Sequence, residues 1–248
     1  MLILITNDDG IDAPGLHALA EAFSGDHEVW VVAPKEEQSG SSHSLTMMRP
    51  LRAIPAGERR FKVDGTPSDA VYIALASLLP RKPDLLLSGI NRGGNMGEDV
   101  TYSGTVAGAI EGTIQGVPSV AVSVVGLRGF HYDAACVAAK RVVSAVMNFG
   151  LPQGVLLNVN VPQNLAPENV KLRLADLGHR DYRQSVVRRE DPRGVPYYWL
   201  GGNPLATEPR EGSDVTIVEN GCVAVTPIRI DMTDRQMLSA MAQWGLEK

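Results

Sequence analysis

Thiols are scarce in this chain of 248 residues. Its two cysteines, Cys136 and Cys222, stand far apart and outside any CxxC spacing, which argues against a disulfide scaffold and a thiolate zinc site and points to a reducing compartment, the cytoplasm. Histidine is equally thin: the five present are scattered, with no HExxH or HxH pair, so an imidazole-rich metal centre has no support. A basic excess is also missing. Lysine plus arginine number 23 against 28 aspartates and glutamates, a net charge of −5, which leaves no whole-chain footprint for nucleic-acid polymers or anionic membranes. An anionic ligand must therefore be met by a local site. No apolar run approaches the roughly 18 residues of a membrane span. Met1–Thr6 reads directly as a strand with no basic start or cleavage site ahead of it, so export is not expected. The chain also lacks internal repeats and low-complexity tracts.

What is present is ordinary for a globular protein: 44% hydrophobic and 21% charged residues, in a length that suits one large domain or a domain with an elaboration. Met1–Thr6 is a continuous apolar run, as expected of a strand covered on both faces in a parallel sheet. A helix is predicted from Pro14 through Leu16, Leu19, Ala20 and Phe23 to a stop at Gly25, with Asp12 as a local cap. Strands follow at Glu28–Ala33, around Thr46–Ile54 and at Arg60–Val63. Thr66-Pro67-Ser68-Asp69 caps a helix running to about Leu79. Strand Asp84–Ser88 then leads into a glycine-rich loop, Gly89–Tyr102, and a helix over Ser103–Gln115. Strand Pro118–Val125, helix Asp133–Phe149 and strand Val155–Val161 complete the series.

This alternation predicts an α/β fold with a doubly wound, mostly parallel sheet, a Rossmann-like three-layer sandwich. The whole chain, 1–248, is expected to form one such domain, with core sheet and active site over 1–165. Beyond it, strand-like pieces at Lys171–Ala175, Ser185–Val187 and Tyr197–Leu200 lie among Gly-, Pro- and Arg-rich stretches, and a hairpin-rich arm is expected over 166–232. Within it, Asp214–Glu219 and Gly221–Ile230 read as a hairpin across Asn220-Gly221. Thr233 and Gln236 have capping-box spacing for a final helix over 233–248.

Polar residues collect where the predicted parallel strands end. The first strand closes in Asn7-Asp8-Asp9-Gly10, two adjacent carboxylates that read either as a capping turn or as a cation site. In open α/β sheets ligands bind outside the carboxyl ends of strands, and a divalent ion offsets the mutual repulsion of paired carboxylates. After the second strand comes Gln38-Ser39-Gly40-Ser41-Ser42-His43-Ser44, which is either a solvated turn or an anion cradle. His43 can be an acid, a base or a ligand, or simply a hydrogen-bonded loop residue. The richest stretch runs from Ser88 to Thr105: amide oxygens of Asn91 or Asn95 can complete a metal shell, and Ser103, Thr105 and the first turn of a helix can receive a phosphate. Gly104, Gly108 and Gly112 fall on one helix face, where their absent side chains permit close packing at about 1 kcal/mol of helix propensity each. The convergent groups are carboxylates, hydroxyls and amides, a set that favours magnesium or manganese over zinc.

These residues resemble the SurE (survival protein E) family of metal-dependent 5'-nucleotidases. The resemblance is carried, in order, by Asn7-Asp8-Asp9-Gly10 with Gly15, Ser39-Gly40-Ser41-Ser42 with Ser44-Leu45-Thr46, Gly65-Thr66-Pro67-Ser68-Asp69, the segments Ser88-Gly89-Ile90-Asn91 through Ser103-Gly104-Thr105-Val106, and Asn158-Val159-Asn160-Val161-Pro162. Together they span nearly the whole chain. Gly108 and Ala70 stand where family sequences often carry alanine and cysteine, away from the chemistry. The resemblance implies that Asp8, Asp9, Ser39 and Asn91 hold one divalent metal ion per subunit, magnesium or manganese, with Asn95, Ser103, Gly104 and Thr105 near the phosphate. It further implies hydrolysis of nucleoside 5'-monophosphates, with tolerance for 3' esters and short polyphosphate. The same resemblance implies a cytoplasmic homodimer or homotetramer that exchanges C-terminal elements.

On this reading a metal-activated water attacks in line, with Asp8 and Asp9 central to catalysis; an aspartate nucleophile is the alternative. The arginines from Arg173 to Arg193 either reach toward the substrate, Arg180 and Arg183 foremost, or belong to a solvated arm. A non-enzymatic metal- or nucleotide-binding regulatory module is the rival class. A receiver-like domain would end within about 120 residues, and a dinucleotide-binding enzyme would need the GxGxxG that the first strand lacks.

Overall fold

Side-chain alternation along the first strand sets the architecture. In the computed structural model, which describes residues 1–180, 186–200 and 210–246, β1 (Leu2–Thr6) turns Ile3 and Ile5 into one apolar cluster and Leu4 into another. That is the period-2 pattern of a strand covered on both faces. The chain continues through α1 (Pro14–Ser24), β2 (Glu28–Pro34), β3 (Ala53–Gly57), β4 (Arg60–Val63) and α2 (Pro67–Ile73). Next come β5 (Leu85–Arg92), α3 (Gly104–Ile114), β6 (Ser119–Val125), α4 (Asp133–Phe149) and β7 (Val155–Pro162). The last third holds β8 (Leu172–Leu174), β9 (Val186–Glu190), β10 (Pro196–Leu200), α5 (Asp214–Glu219), β11 (Val223–Arg229) and α6 (Arg235–Met241).

Among the described residues nine strands form one sheet in the order β3-β4-β2-β1-β5-β6-β7-β11-β8. From β4 to β7 all neighbours are parallel, whereas β3 and β11 run antiparallel to β4 and β7. This is the expected doubly wound sandwich. One face packs on α1 and α4 through Leu16, Leu19, Phe23, Ala135, Val142 and Val146, the other on α2 and α3 through Ala70, Val71, Val106 and Ala109. Leu85, Leu86 and Leu87 are fully buried, each contributing about 1.5–3 kcal/mol of transfer free energy. No described helix is long and apolar enough to cross a membrane. Two sheet strands, β8 and β11, come from beyond residue 165, while β9 and β10 form a separate hairpin.

Several local expectations need correction. Asp12 caps nothing: α1 starts after Ala13 with no side-chain cap. The strand expected around Thr46–Ile54 begins only at Ala53, because Thr46 is held by Asp69 in a loop (Thr46 N–H to Asp69 Oδ1, 2.8 Å). The strand expected to end at Ser88 runs to Arg92 through a register shift between Gly89 and Asn91. Asp214–Glu219 is a helix and not the first arm of a hairpin. Ser213 caps it by accepting the Thr216 N–H, and Asn220-Gly221, with Gly221 at φ +73°, closes the helix instead of turning a hairpin. The final helix is capped by Asp234, one residue after Thr233. Ser185 and Arg183 lie outside the described residues.

Candidate active site

The sheet order reverses beside β1: β2 lies on one side of it and β5 on the other. A crevice opens at such a point between loops that leave in opposite directions. Here it is lined by the loops after β1 and β2 and by the stretch from β5 to α3. Asp8 is 4% exposed. Thr105, fully buried in the first turn of α3, donates its hydroxyl to Asp8 Oδ1. Burial pushes the Asp8 carboxyl up to about 6; the Thr105 hydrogen bond opposes the rise and the neighbouring Asp9 charge adds to it. Asp9, its side chain only 3% exposed, accepts from Arg92: Nε and Nη2 lie 3.1 and 3.0 Å from Oδ1, and the backbone N–H lies 3.2 Å from Oδ2.

The loops are fastened to one another. Gln38 N–H donates to the Asp8 carbonyl at 2.7 Å, and the Ser42 N–H and Oγ donate to the carbonyls of Tyr102 (3.1 Å) and Thr101 (2.7 Å). Asp69 adds a second hold through Thr46 Oγ1 at 2.7 Å, and Thr66 Oγ1 donates to the Ser44 carbonyl at 2.7 Å. The Gly65–Asp69 motif thus both caps α2 and anchors the serine loop. Ser39, Asn91, Asn95 and Ser103 line the crevice with Asp8, and Asp9 and Ser39 line its neighbouring lobe. Gly104 packs against Asp8: a Cβ there would sit 2.7 Å from the Asp8 Cβ. Gly108 and Gly112 are as close to β5 and β6, where a Cβ would come 2.9 Å from Ser88 Oγ and 2.5 Å from Ser119 Oγ. The expected small face of α3 is real.

Two of the predicted side chains are already engaged. The Thr105 side chain faces Asp8 and not the open crevice. The Asn95 Nδ2 donates to Ser123 Oγ at 2.9 Å, while its backbone is gripped by Asn160 and Asn158 from β7. Those two asparagines alternate on a buried strand, and sequence reasoning gives them no site role of their own. Two fully buried amides on one strand face are the available signal, since such groups demand partners. His43 Nε2 lies 2.9 Å from the buried Glu111 carboxylate, so the histidine is tied to α3. Burial raises the Glu111 carboxyl, but hydrogen bonds from His43 and Gln115 bring it below its ordinary value. Arg180 lies 2.6 Å from Asp99 and donates its N–H to Glu98 at 2.7 Å, which places it on the loop that precedes Ser103.

The donor chemistry fits a hard cation. The Asn91 Nδ2 donates to the Gly93 carbonyl at 2.8 Å, which leaves the amide oxygen's lone pairs to ligate a cation. Ser41 Oγ is buried without a hydrogen-bond partner, close to where Gly104 meets Asp8. The Arg92 guanidinium already presents positive charge to Asp9. Among the described residues no three His, Cys, Asp or Glu side chains gather into a metal cluster, so an ion here would draw on hydroxyl and amide oxygens besides the two carboxylates.

Fold and crevice define the class: an open-sheet α/β protein with paired carboxylates and a helix start facing each other at the switch point. The family model described as survival protein SurE matches residues 3–184. The 5'-nucleotidase SurE of Geotalea uraniireducens is 46% identical over 99% of this chain and 100% of its own length, and that of Geotalea daltonii 47% over the same shares. The crystal structure of the SurE protein from Aquifex aeolicus superposes with a TM-score of 0.88 at 40% identity, covering 98% of this chain and 99% of that one. The chain belongs to the SurE family.

Proposed function

We propose that this protein is a metal-dependent phosphatase that hydrolyses nucleoside 5'-monophosphates to nucleoside and inorganic phosphate. The observation that carries the reading is the pair Asp8 and Asp9 at the end of β1, facing the first turn of α3, in a chain whose full-length relatives bear the name 5'-nucleotidase. Asp8, Asp9, Ser39 and Asn91 would hold the ion, magnesium or manganese. When bound, a divalent ion supplies charge that polarises the phosphoryl group and makes water a better nucleophile.

The chain's own residues do the rest. Ser103 caps α3 by accepting the Val106 N–H at 3.0 Å, which leaves its hydroxyl proton for a phosphate oxygen. The N-terminal turn at Gly104 adds the favourable end of the helix dipole. Asn95, its backbone held by Asn158 and Asn160, lines the crevice on the phosphate side. Thr105 is a positioning residue that holds Asp8. Water is favoured over an aspartate nucleophile because Thr105 engages one Asp8 oxygen and Arg92 engages both oxygens of Asp9.

The reading extends to 3' esters and short polyphosphate. It extends also to a homodimer or homotetramer in the cytoplasm. The two free thiols and the exposed apolar residues of α6 and the β9–β10 hairpin support that assembly and location.

The test is phosphate release from 5' and 3' nucleoside monophosphates and polyphosphate, in EDTA and then with magnesium or manganese restored, with Asp8→Asn as control. Metal-restored release from 5'-monophosphates that the variant lacks is expected. No release under either metal would refute the enzyme and leave a binding module.

A further inference from the structure

Glu111 is a buried carboxylate that the proposed chemistry leaves unused. It sits on α3 with its side chain 3% exposed, and His43 Nε2 reaches one of its oxygens at 2.9 Å from the serine loop. Gln115 Nε2 donates to the other oxygen at 3.0 Å. A charge on the packed face of a helix costs free energy that an apolar side chain there would not, so its place calls for a reason. Burial raises its pKa, yet the bonds from His43 and Gln115 outweigh that rise and hold the carboxyl below its ordinary value. We propose that Glu111 and His43 are positioning residues for the metal: their contact seats the serine loop on α3 and thereby fixes Ser39 relative to Asp8. The proposal rests on the metal-dependent reading of the crevice and adds two residues that stand outside its lining.

The backbone carries the link from His43 to Ser39. Ser41 N–H donates to the Gln38 carbonyl at 3.1 Å, closing a turn around Ser39 and Gly40, and Ser44 Oγ donates to the Ser41 carbonyl at 2.9 Å. Residues 38–44 are therefore one compact piece. Between the turn and the histidine, Ser42 takes φ +53°, a left-handed conformation that a residue with a side chain keeps only where its surroundings over-determine it. Its N–H and Oγ are held by the Tyr102 and Thr101 carbonyls, just ahead of α3. His43 supplies the hold on the next residue, and it is the contact that joins the loop to the body of the helix. The first turn of that same helix orients Asp8 through Thr105. One rigid element thus sets both the carboxylate and the loop that presents the hydroxyl. Ile110 and Ile114 line, with His43, an adjoining cavity of about 260 Å³ that Ile228 and Ile230 close from β11 and the chain beyond it. Such apolar walls strengthen the hydrogen bond they border.

The test measures manganese binding to the full chain by calorimetry. His43→Ala removes a side chain that is 31% exposed, so folding should survive. The manganese Kd is expected to rise about tenfold, the scale of one hydrogen bond to a charged group. His43→Gln, whose amide still offers Glu111 a donor, should recover most of that loss. Glu111→Leu should match His43→Ala, and the double variant should be no weaker than either. In a Ser39→Ala background His43→Ala should cost nothing further, because the residue it acts through is gone. Gln115→Ala is the control: Gln115 touches the same carboxylate but not the loop, so this variant should bind manganese as the wild type does. Unchanged affinity in His43→Ala, an equal loss in Gln115→Ala, or a loss that adds in full to that of Ser39→Ala would overturn the positioning role. A wild type that takes up no manganese would instead refute the metal reading itself, and this role with it.

Discussion

Asn160 grips the backbone of Asn95 from both sides: its Oδ1 accepts the Asn95 N–H at 2.9 Å and its Nδ2 donates to the Asn95 carbonyl at 3.0 Å. Asn158 adds a second donor to that carbonyl at 2.7 Å. The third loop of the crevice is thus set by β7, a strand that brings no side chain into the crevice lining. Asn160→Ala leaves a buried N–H without its acceptor, at a cost of about 1–3 kcal/mol. It also frees the loop, and a displacement near 1 Å can cost about a hundredfold in turnover. Denaturant unfolding and 5'-AMP kinetics should show both losses. Asn160→Asp keeps the acceptor but turns a buried carboxylate oxygen on the Asn95 carbonyl, so it should not restore stability. Wild-type kcat in Asn160→Ala would show that the clamp is dispensable.

Gly104→Ala is expected to separate metal binding from folding. The new methyl would lie 2.7 Å from Asp8 Cβ and 3.0 Å from both Asp8 Oδ2 and Ser41 Oγ, and overpacking of this kind typically costs about 1–3 kcal/mol. The strain falls on a proposed metal ligand, so manganese affinity by calorimetry should drop along with activity. Gly108→Ala is the control, since its methyl meets Ser88 Oγ at 2.9 Å and Thr6 Cγ2 at 3.0 Å on the sheet. That variant should lose stability while retaining metal affinity. Equal metal affinity in wild type and Gly104→Ala would remove Asp8 from the ligand set.

The parallel strands and their covering helices were legible because their cues are local: apolar runs for β1 and β5, prolines at helix starts, glycines at ends. The strand-end loops were legible for the same reason, since carboxylates, amides and hydroxyls collected after three separate strands. What escaped was set by distance. Asp214–Glu219 carries the alternation of a strand, but Asp214 is fully buried and its carboxylate accepts the N–H groups of Gly97, Gly178 and Val215 at 3.0, 2.7 and 2.8 Å. That network fixes the helix from residues far along the chain, overriding a β-leaning local preference. The Arg92 contact with Asp9 likewise spans the β1–β5 crossover, and nothing in the glycine-rich run around Arg92 marks it.

Acid stability should depend on Asp84. Its carboxylate accepts the Leu2 N–H at 2.7 Å and two bonds from Arg81 at 3.0 Å, tying the start of β1 to the start of β5. The Arg81 hydrogen bond, with help from the Leu2 N–H, lowers its pKa from 3.8 to about 2. A carboxyl depressed on folding contributes stability that is complete above its unfolded pKa and fades as pH falls through the folded one. The contribution should therefore be intact above about pH 4, fall as pH drops toward 2 and be gone below it. Urea unfolding of wild type and Asp84→Asn across that window should give curves that converge with acid. A constant gap between them would assign the effect of Asp84 to something other than its charge.

The C-terminal helix should hold the proposed homo-oligomer together. None of the residues of α6 is buried, and Leu238, Trp244 and Leu246 are each at least 59% exposed. A helix of seven residues has little stability of its own, and clustered exposed apolar side chains mark a contact surface. Deleting residues 233–248 should lower the molar mass measured by light scattering relative to the full chain, and Leu238→Ala/Trp244→Ala should raise the dissociation constant of the assembly without changing the far-ultraviolet spectrum. The active-site loops lie on other elements, so ethyl phosphate turnover per subunit should survive both changes. A full-length chain that is monomeric at micromolar concentration would end the oligomer reading. A truncated chain with unchanged mass would move the interface to the β9–β10 hairpin, where Tyr198 and Trp199 are 59% and 61% exposed.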